Sequence, residues 1–445
     1  MIHPMATSNV KIINELKKFM EDIPGIKSKK ARYVYNPKAF TRRRKLTFTT
    51  LSLLILNGLK RSLSIEIQFF FEHFSQGLTC TKQAFSKQRT FMNPIFFHDW
   101  NRVLVDSFYY HYGNHIKRWK GFKLWAIDGS SVPLPQRDGL KEKFGCPTNQ
   151  KGESYPLARI CALYDVLNQI VIKGLLHPYK VSEENVSLDV LENQALEDVL
   201  LLYDRGYPSY WLMYLLINRC THFVMRAQKN ANNLVKSFLD SGSCDEVIEL
   251  YPPYSSLIKL RGMGIEISKD TSIKIRMVKI VLDTGETEVL LSNLYDSGLY
   301  TMQDLKIVYH MRWNIETFYG YIKEELQLGQ FSGIRAICIE QDFAANVFLS
   351  NLQSLIEKQS EPYLEEVSKK RKYTYKINKN ASWACLKYRV ADLFLSTDSI
   401  LLLYELQKLF ERNLEPIRPG RRFPRKRNRA PNNKYYTLTN YKRAI

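Results

Sequence analysis

VLLLYDRGY, residues 199–207, sets five apolar residues in a row and then turns abruptly polar at Asp204. A run this short and this uniformly apolar has the pattern of a strand buried on both faces, the kind found at the centre of a helix-covered sheet. Its neighbours agree. Upstream, KLWAIDGSSVPL (123–134), ARICALYDV (158–166) and NQIVIKGLLHP (168–178) read as three successive strands rich in β-branched residues. Ser182 opens a helix through Leu196, Tyr207 to Asn218 forms another, and HFVMR (222–226) returns to strand. Strands first, then alternation with helices, predict an α/β fold in which a mixed sheet is covered on both faces.

From Lys229 to Asn293 the alternation breaks. IEISKD, IKIRMVKIVL and EVLLSNL occur there, with Asp283-Thr284-Gly285-Glu286 as a hairpin turn between the last two. The expectation is a β-rich insertion over 229–293 that splits the core into 121–228 and 294–360. Thr301 and Asp304 fit the start of the next helix.

The first 120 residues read as helical, with apolar residues at helical spacing (Leu51, Leu54, Ile55, Leu59; Ile67, Phe70, Phe71, Phe74). A basic run from Lys27 to Lys45 precedes them and includes Arg42, Arg43 and Arg44. Thr81 suits the N-cap of a short helix that would offer Lys82, Gln83, Lys87, Gln88 and Arg89 to a DNA groove, as in a helix-turn-helix element. An amphipathic bundle helix with a solvated basic face is an equal reading. Residues 361–445 read as a helical region ending in a basic tail, where ten Lys or Arg follow from Arg418 with no acid.

The chain has 445 residues, enough for about two to four domains. Its 65 Lys and Arg against 44 Asp and Glu give a net charge of +21, which favours a polyanionic partner, nucleic acid first. The longest apolar stretch, Leu51 to Leu59, falls well short of the roughly 20 residues that span a bilayer. No signal-peptide pattern is present, so a cytoplasmic protein is expected. Seven cysteines form no C-x2-C pair and have no histidines near them at zinc spacing, so free, mostly buried thiols are expected.

Asp128 in LWAIDGS and Asp204 in LLLYDRGY each end an apolar strand segment, where a carboxylate is disfavoured by propensity and costly to bury without a partner. Each alone could cap a turn, and Asp204 could pair with Arg205. A third carboxylate, Glu316, lies in YHMRWNIETFYGYIK (309–323). On one continuous helix at about 100° per residue, Tyr309, Arg312, Glu316 and Lys323 fall within an arc of about 60°. Such a face suits an anion gripped beside a metal ion. Three carboxylates in the order strand, strand, helix suit two hard divalent cations and phosphoryl transfer, because carboxylate oxygens select magnesium where histidine or thiolate would not.

The spacing Y-x2-R-x3-E-x6-K, with Asp128 in AIDGS and Asp204-Arg205-Gly206-Tyr207, resembles the YREK signature and acidic motifs of DDE transposases of bacterial insertion sequences, over roughly residues 40–360. The resemblance implies a ribonuclease H-like core and metal-dependent cleavage and strand transfer at the inverted-repeat ends of an element. It implies that Asp128, Asp204 and Glu316 hold two Mg2+ ions, with Mn2+ as a substitute, and that Tyr309, Arg312 and Lys323 contact the DNA backbone. It also implies double-stranded DNA as partner and a homodimer in a synaptic complex. For Arg312 and Lys323 the alternative is an ion pair of Arg312 with Glu316 and a solvated lysine. Relatives that cut through a hairpin receive a flipped base on an aromatic, commonly tryptophan, but no tryptophan lies between Trp211 and Trp313. Tyr251, Tyr254 and Phe223 are available to stack there, although core packing is expected for each, as it is for Trp313. Two other functions fit the composition: a non-catalytic DNA-binding protein descended from a transposase, and a structure-selective nuclease on the same core.

Overall fold

The computed structural model describes residues 4–418 and 420, apart from 42–44, 59, 75–78, 149–151, 153, 229–232 and 283–284. Arg42, Arg43, Arg44, Leu59, Asp283, Thr284 and the tail from 421 onward lie outside the described residues. Two compact units interleave along the chain: 116–131 with 158–320, and 1–115 with 132–157 and 321–445.

The first unit is built on an eight-stranded sheet. Its strands are β1 (Lys123–Pro133), β2 (Leu157–Asp165), β3 (Ile170–Pro178), β4 (Val199–Tyr203), β5 (His222–Ala227), β6 (Asp245–Leu250), β7 (Ile273–Val281) and β8 (Thr287–Ser292). They lie in the order β3-β2-β1-β4-β5-β8-β7-β6. β1, β4 and β5 run parallel, while β2–β3, β5–β8, β8–β7 and β7–β6 pair antiparallel. All five residues of β4 are buried, as a strand flanked on both sides by parallel partners requires. Each of its large side chains contributes about 1.5–3 kcal/mol relative to exposure. The helices Glu183–Leu191, Tyr210–Asn218 and Met302–His310 pack on strands of this sheet. The fold is the mixed, helix-flanked sheet that the strand pattern predicts, with the apolar run 199–203 at its centre.

Some local expectations change. The strands of 229–293 do not form a body of their own, because β8 pairs directly with β5 and continues the main sheet toward β7 and β6. Residues 265–270 (IEISKD) are not a strand, whereas Asp245–Leu250 is one and Tyr254–Gly262 is helical. The helix after Ser182 stops at Leu191 instead of continuing to Leu196. Thr301 and Asp304 do form a reciprocal cap, each side chain accepting from the other's backbone N–H.

In the second unit helices from the first 112 residues pack against helices between 336 and 411. The helix Pro4–Gly25 packs on Ile95–Tyr112, Ser399–Glu411 and Ala336–Lys358. Trp100 stacks on Phe348 at 4.2 Å between ring centres, and Asn9 donates to the Leu355 carbonyl at 2.9 Å. Thr81 caps the helix Lys82–Arg89 as expected. Arg89, however, is buried and unavailable to a groove: it donates to Gln341, Ser332 and Asp342 at 2.8, 2.6 and 2.9 Å. Lys82, Gln83 and Lys87 remain exposed. Thr374–Ile377 and Leu414–Ile417 (β9 and β10) form a small antiparallel sheet.

All seven cysteines are free; Cys161 and Cys338 are buried, but Cys220 and Cys244 are exposed, against the expectation of mostly buried thiols. Among the described residues no helix is long and apolar enough to cross a membrane.

Candidate active site

The sheet register brings the first two carboxylates together. In the parallel pair of β1 and β4, Ile127 stands opposite Tyr203, so Asp128 and Asp204 follow directly on neighbouring strands about 4.8 Å apart. Asp128 does not end its strand, as the sequence suggested. It is the first residue past the buried run Leu124–Ile127, and β1 continues to Pro133. Asp204 lies immediately after the last residue of β4.

The signature segment is not one helix. The helix Met302–His310 ends at Tyr309 and His310, and a second helix, Trp313–Glu324, carries Glu316 and Lys323. Through the break the backbone closes with i→i+3 bonds, Arg312 N–H to the Tyr309 carbonyl and Ile315 N–H to the Arg312 carbonyl, both at 3.0 Å. Arg312 stands in this turn with 1% of its surface exposed. Its Nη2 donates to Glu316 Oε1 at 2.8 Å and lies 3.8 Å from Asp204 Oδ1. The ion pair between Arg312 and Glu316 is therefore formed, and Asp204 borders the same guanidinium.

Tyr309 is 4% exposed, and its hydroxyl donates to Asp204 Oδ1 at 3.3 Å. Tyr309 and Arg312 thus turn their polar atoms to carboxylates and do not form the open anion-gripping stripe expected of a single helix face. Lys323 sits two turns beyond Glu316, in the part of its helix that belongs to the other unit. Trp313 is 39% exposed and does not pack in the core; Arg312 lies over its ring at 5.3 Å. Tyr251 and Tyr254 are exposed too, which leaves Phe223 as the core residue of the three aromatics considered for stacking.

Other side chains here carried no distinctive sequence signal. Tyr319 donates to the backbone carbonyl of Asp128 at 2.6 Å. Arg226 Nε lies 3.6 Å from Asp204 Oδ1 and its guanidinium also pairs with Glu288. Glu183, which accepts from Arg159, occupies the space beside Gly129: a Cβ there would meet its side chain at 3.1 Å. A Cβ at Gly206 would meet the same carboxylate at 3.6 Å. The glycines one residue after Asp128 and two after Asp204 were the only trace of Glu183 in the sequence.

Electrostatics mark Asp128 out. Its carboxyl is raised to about 7: burial pushes it up most, Arg312 and the Gly129 N–H pull against that rise, and Asp204 and Glu316 add to it. Burial likewise pushes the Tyr309 hydroxyl up. A carboxylate whose charge is opposed by burial and by two other acids is a site where a cation would be stabilised. Three carboxylates fit hard divalent ions by donor chemistry. Among the described residues no three such side chains are gathered closely enough to hold an ion together, and it is Arg312 that bridges Asp204 and Glu316.

Comparison with known proteins places this geometry in a family. The model of the transposase DDE domain matches residues 119–352, a span that includes Asp128, Asp204, Tyr309, Arg312, Glu316 and Lys323. InsZ of Escherichia coli (strain K12) is 28% identical over 116 residues, 25% of this chain and 38% of that protein. The transposase InsG for insertion sequence element IS4, from the same strain, is 23% identical over 212 residues, 47% of this chain and 46% of that protein. The chain thus spans less than half the length of these relatives. The cryo-EM structure of the piggyBac transposase synaptic complex with hairpin DNA overlaps 95% of this chain and 87% of that one at a TM-score of 0.41 and 11% identity. With its strand order, its paired aspartates and a match over more than half its length, this chain belongs to the transposase DDE domain family.

Proposed function

We propose that the protein binds the inverted-repeat ends of an insertion sequence and catalyses metal-dependent DNA cleavage and strand transfer by a cut-and-paste route. The observation that carries this reading is the strand register that sets Asp128 beside Asp204, with Glu316 joined to Asp204 through the guanidinium of Arg312. Carboxylates set side by side repel one another, and a protein that only bound DNA would gain nothing from them.

In this reading Asp128, Asp204 and Glu316 hold the divalent ions that the family uses, Mg2+ with Mn2+ as a substitute. Bound there, the ions would polarise the attacking hydroxyl and stabilise the leaving 3′ oxygen. Tyr309 and Tyr319 fix Asp204 and Asp128 through hydrogen bonds, while Lys323 and the surplus positive charge of the chain hold the DNA backbone. Double-stranded DNA, as transposon ends and as target, is the partner, and a homodimer holds the two ends in one synaptic complex.

The test incubates purified protein and Mg2+ with DNA carrying the element's candidate ends and compares wild type with Glu316→Ala. Cleavage should fall on the order of a thousandfold or more in the variant. Cleavage at the wild-type rate would remove Glu316 from the site. Wild-type protein that binds the ends but never cleaves them, whatever the metal, would replace this reading with that of a non-catalytic DNA-binding protein.

A further inference from the structure

Arg312 is placed unlike a residue that simply waits for DNA. It is 1% exposed, one of its nitrogens contacts Glu316 and Asp204, and its Nε and Nη1 are buried with no hydrogen-bond partner among the described residues. The rings of Tyr309 and Trp313 lie 5.6 and 5.3 Å from its guanidinium carbon. A guanidinium carries five N–H donors in a rigid fork, and leaving the three on Nε and Nη1 buried and unused is unfavourable unless another state of the protein uses them. The position it fills, between two carboxylates, is one that a divalent cation would also seek.

We propose that Arg312 is a resident counter-ion that holds Asp204 and Glu316 in the metal-free protein and competes with the divalent ion for them. This rests on the reading of those two acids as metal ligands. Metal uptake releases Glu316 from the guanidinium. The freed Nη2, with Nε and Nη1, then forms a donor fork for a DNA-backbone phosphate, whose two non-bridging oxygens it can take up together. Metal and DNA therefore bind cooperatively: either one draws Arg312 out of the carboxylate pair and lowers the cost of binding the other. Arg226, which also borders Asp204, stays paired with Glu288 and does not follow.

The measurement is Mn2+ affinity of the full-length protein, from the electron paramagnetic resonance signal of free Mn2+, with and without a short duplex carrying one element end, in wild type, Arg312→Gln, Arg312→Lys and Glu316→Gln. Without DNA, Arg312→Gln should bind Mn2+ about tenfold more tightly than wild type, because its carboxylates are no longer occupied. Arg312→Lys, which keeps the charge but not the fork, should fall between them. DNA should tighten Mn2+ binding in wild type and much less in Arg312→Gln. If neither Arg312 variant binds Mn2+ more tightly than wild type, the counter-ion role is overturned. If Glu316→Gln binds Mn2+ as wild type does, it is the metal-site reading itself that fails, so the two failures are distinguishable.

Discussion

Asp198 and Lys123 lock together the starting ends of β1 and β4, the two strands that lead to Asp128 and Asp204. Lys123 donates its backbone N–H to the Asp198 carbonyl at 2.8 Å and its ammonium to Asp198 Oδ1 at 2.7 Å, and Arg118 adds a bond to Oδ2 at 2.6 Å. Because a one-residue slip between β1 and β4 would move Asp128 away from Asp204, this contact guards the site from the opposite edge. Burial pushes the Asp198 carboxyl up, but the hydrogen bonds from Lys123 and Arg118 more than reverse it, so it titrates below its ordinary value. A lowered carboxyl contributes stability above its unfolded value near 3.8 and loses it as pH falls through the folded value. Asp198→Asn should therefore destabilise the protein at pH 7 and flatten the acid limb of a melting-temperature profile below about pH 4, where the variant and wild type should converge.

Arg89 tests whether the Lys82–Arg89 helix is anchored or reads DNA. Arg89 and Asp342 are 1% and 8% exposed at their side chains and 2.9 Å apart. Removing one partner of such a pair leaves a buried charge uncompensated, so Arg89→Ala should cost about 3–5 kcal/mol in a denaturant titration. Lys82→Ala and Lys87→Ala, both at exposed positions, should leave stability within about 0.5 kcal/mol. If the helix binds DNA, only these two should weaken binding and reduce its salt dependence.

Tyr319 acts on Asp128 through the backbone. Tyr319→Phe removes the hydroxyl that donates to the Asp128 carbonyl, at a cost of about 1–2 kcal/mol in stability. Since the residue is buried and its hydroxyl is turned to the Asp128 carbonyl, the rate of end cleavage at saturating DNA should fall while the DNA concentration at half-saturation is unchanged.

What was legible in the sequence follows from local chemistry. An apolar run that stops at an acid marks both β1 and β4, and Thr301 with Asp304 marks a helix start, because each signal lies within a few residues. The helix break at Met311 and Arg312 was not legible. No Gly or Pro lies between Met302 and Thr317 to mark it, and the interruption accompanies burial of Arg312 against Asp204, which is remote in sequence. Strand β6 was missed because DEVIEL is charged and half exposed, as an edge strand's composition allows. Trp313 was placed in the core on hydrophobicity alone, yet the turn before it leaves the ring partly exposed over Arg312. Glu183 was invisible because its only mark is the absence of side chains at Gly129 and Gly206.

The central claim, that Asp204 holds a divalent ion for DNA cleavage, is tested most directly by Asp204→Cys in an end-cleavage assay run in parallel with Mg2+ and with Mn2+. Thiolate is a poor ligand for the hard Mg2+ and a better one for Mn2+. The account predicts cleavage lost in Mg2+ and substantially recovered in Mn2+, with wild type active in both. Asp204→Cys cleaving at the wild-type rate in Mg2+ would contradict it.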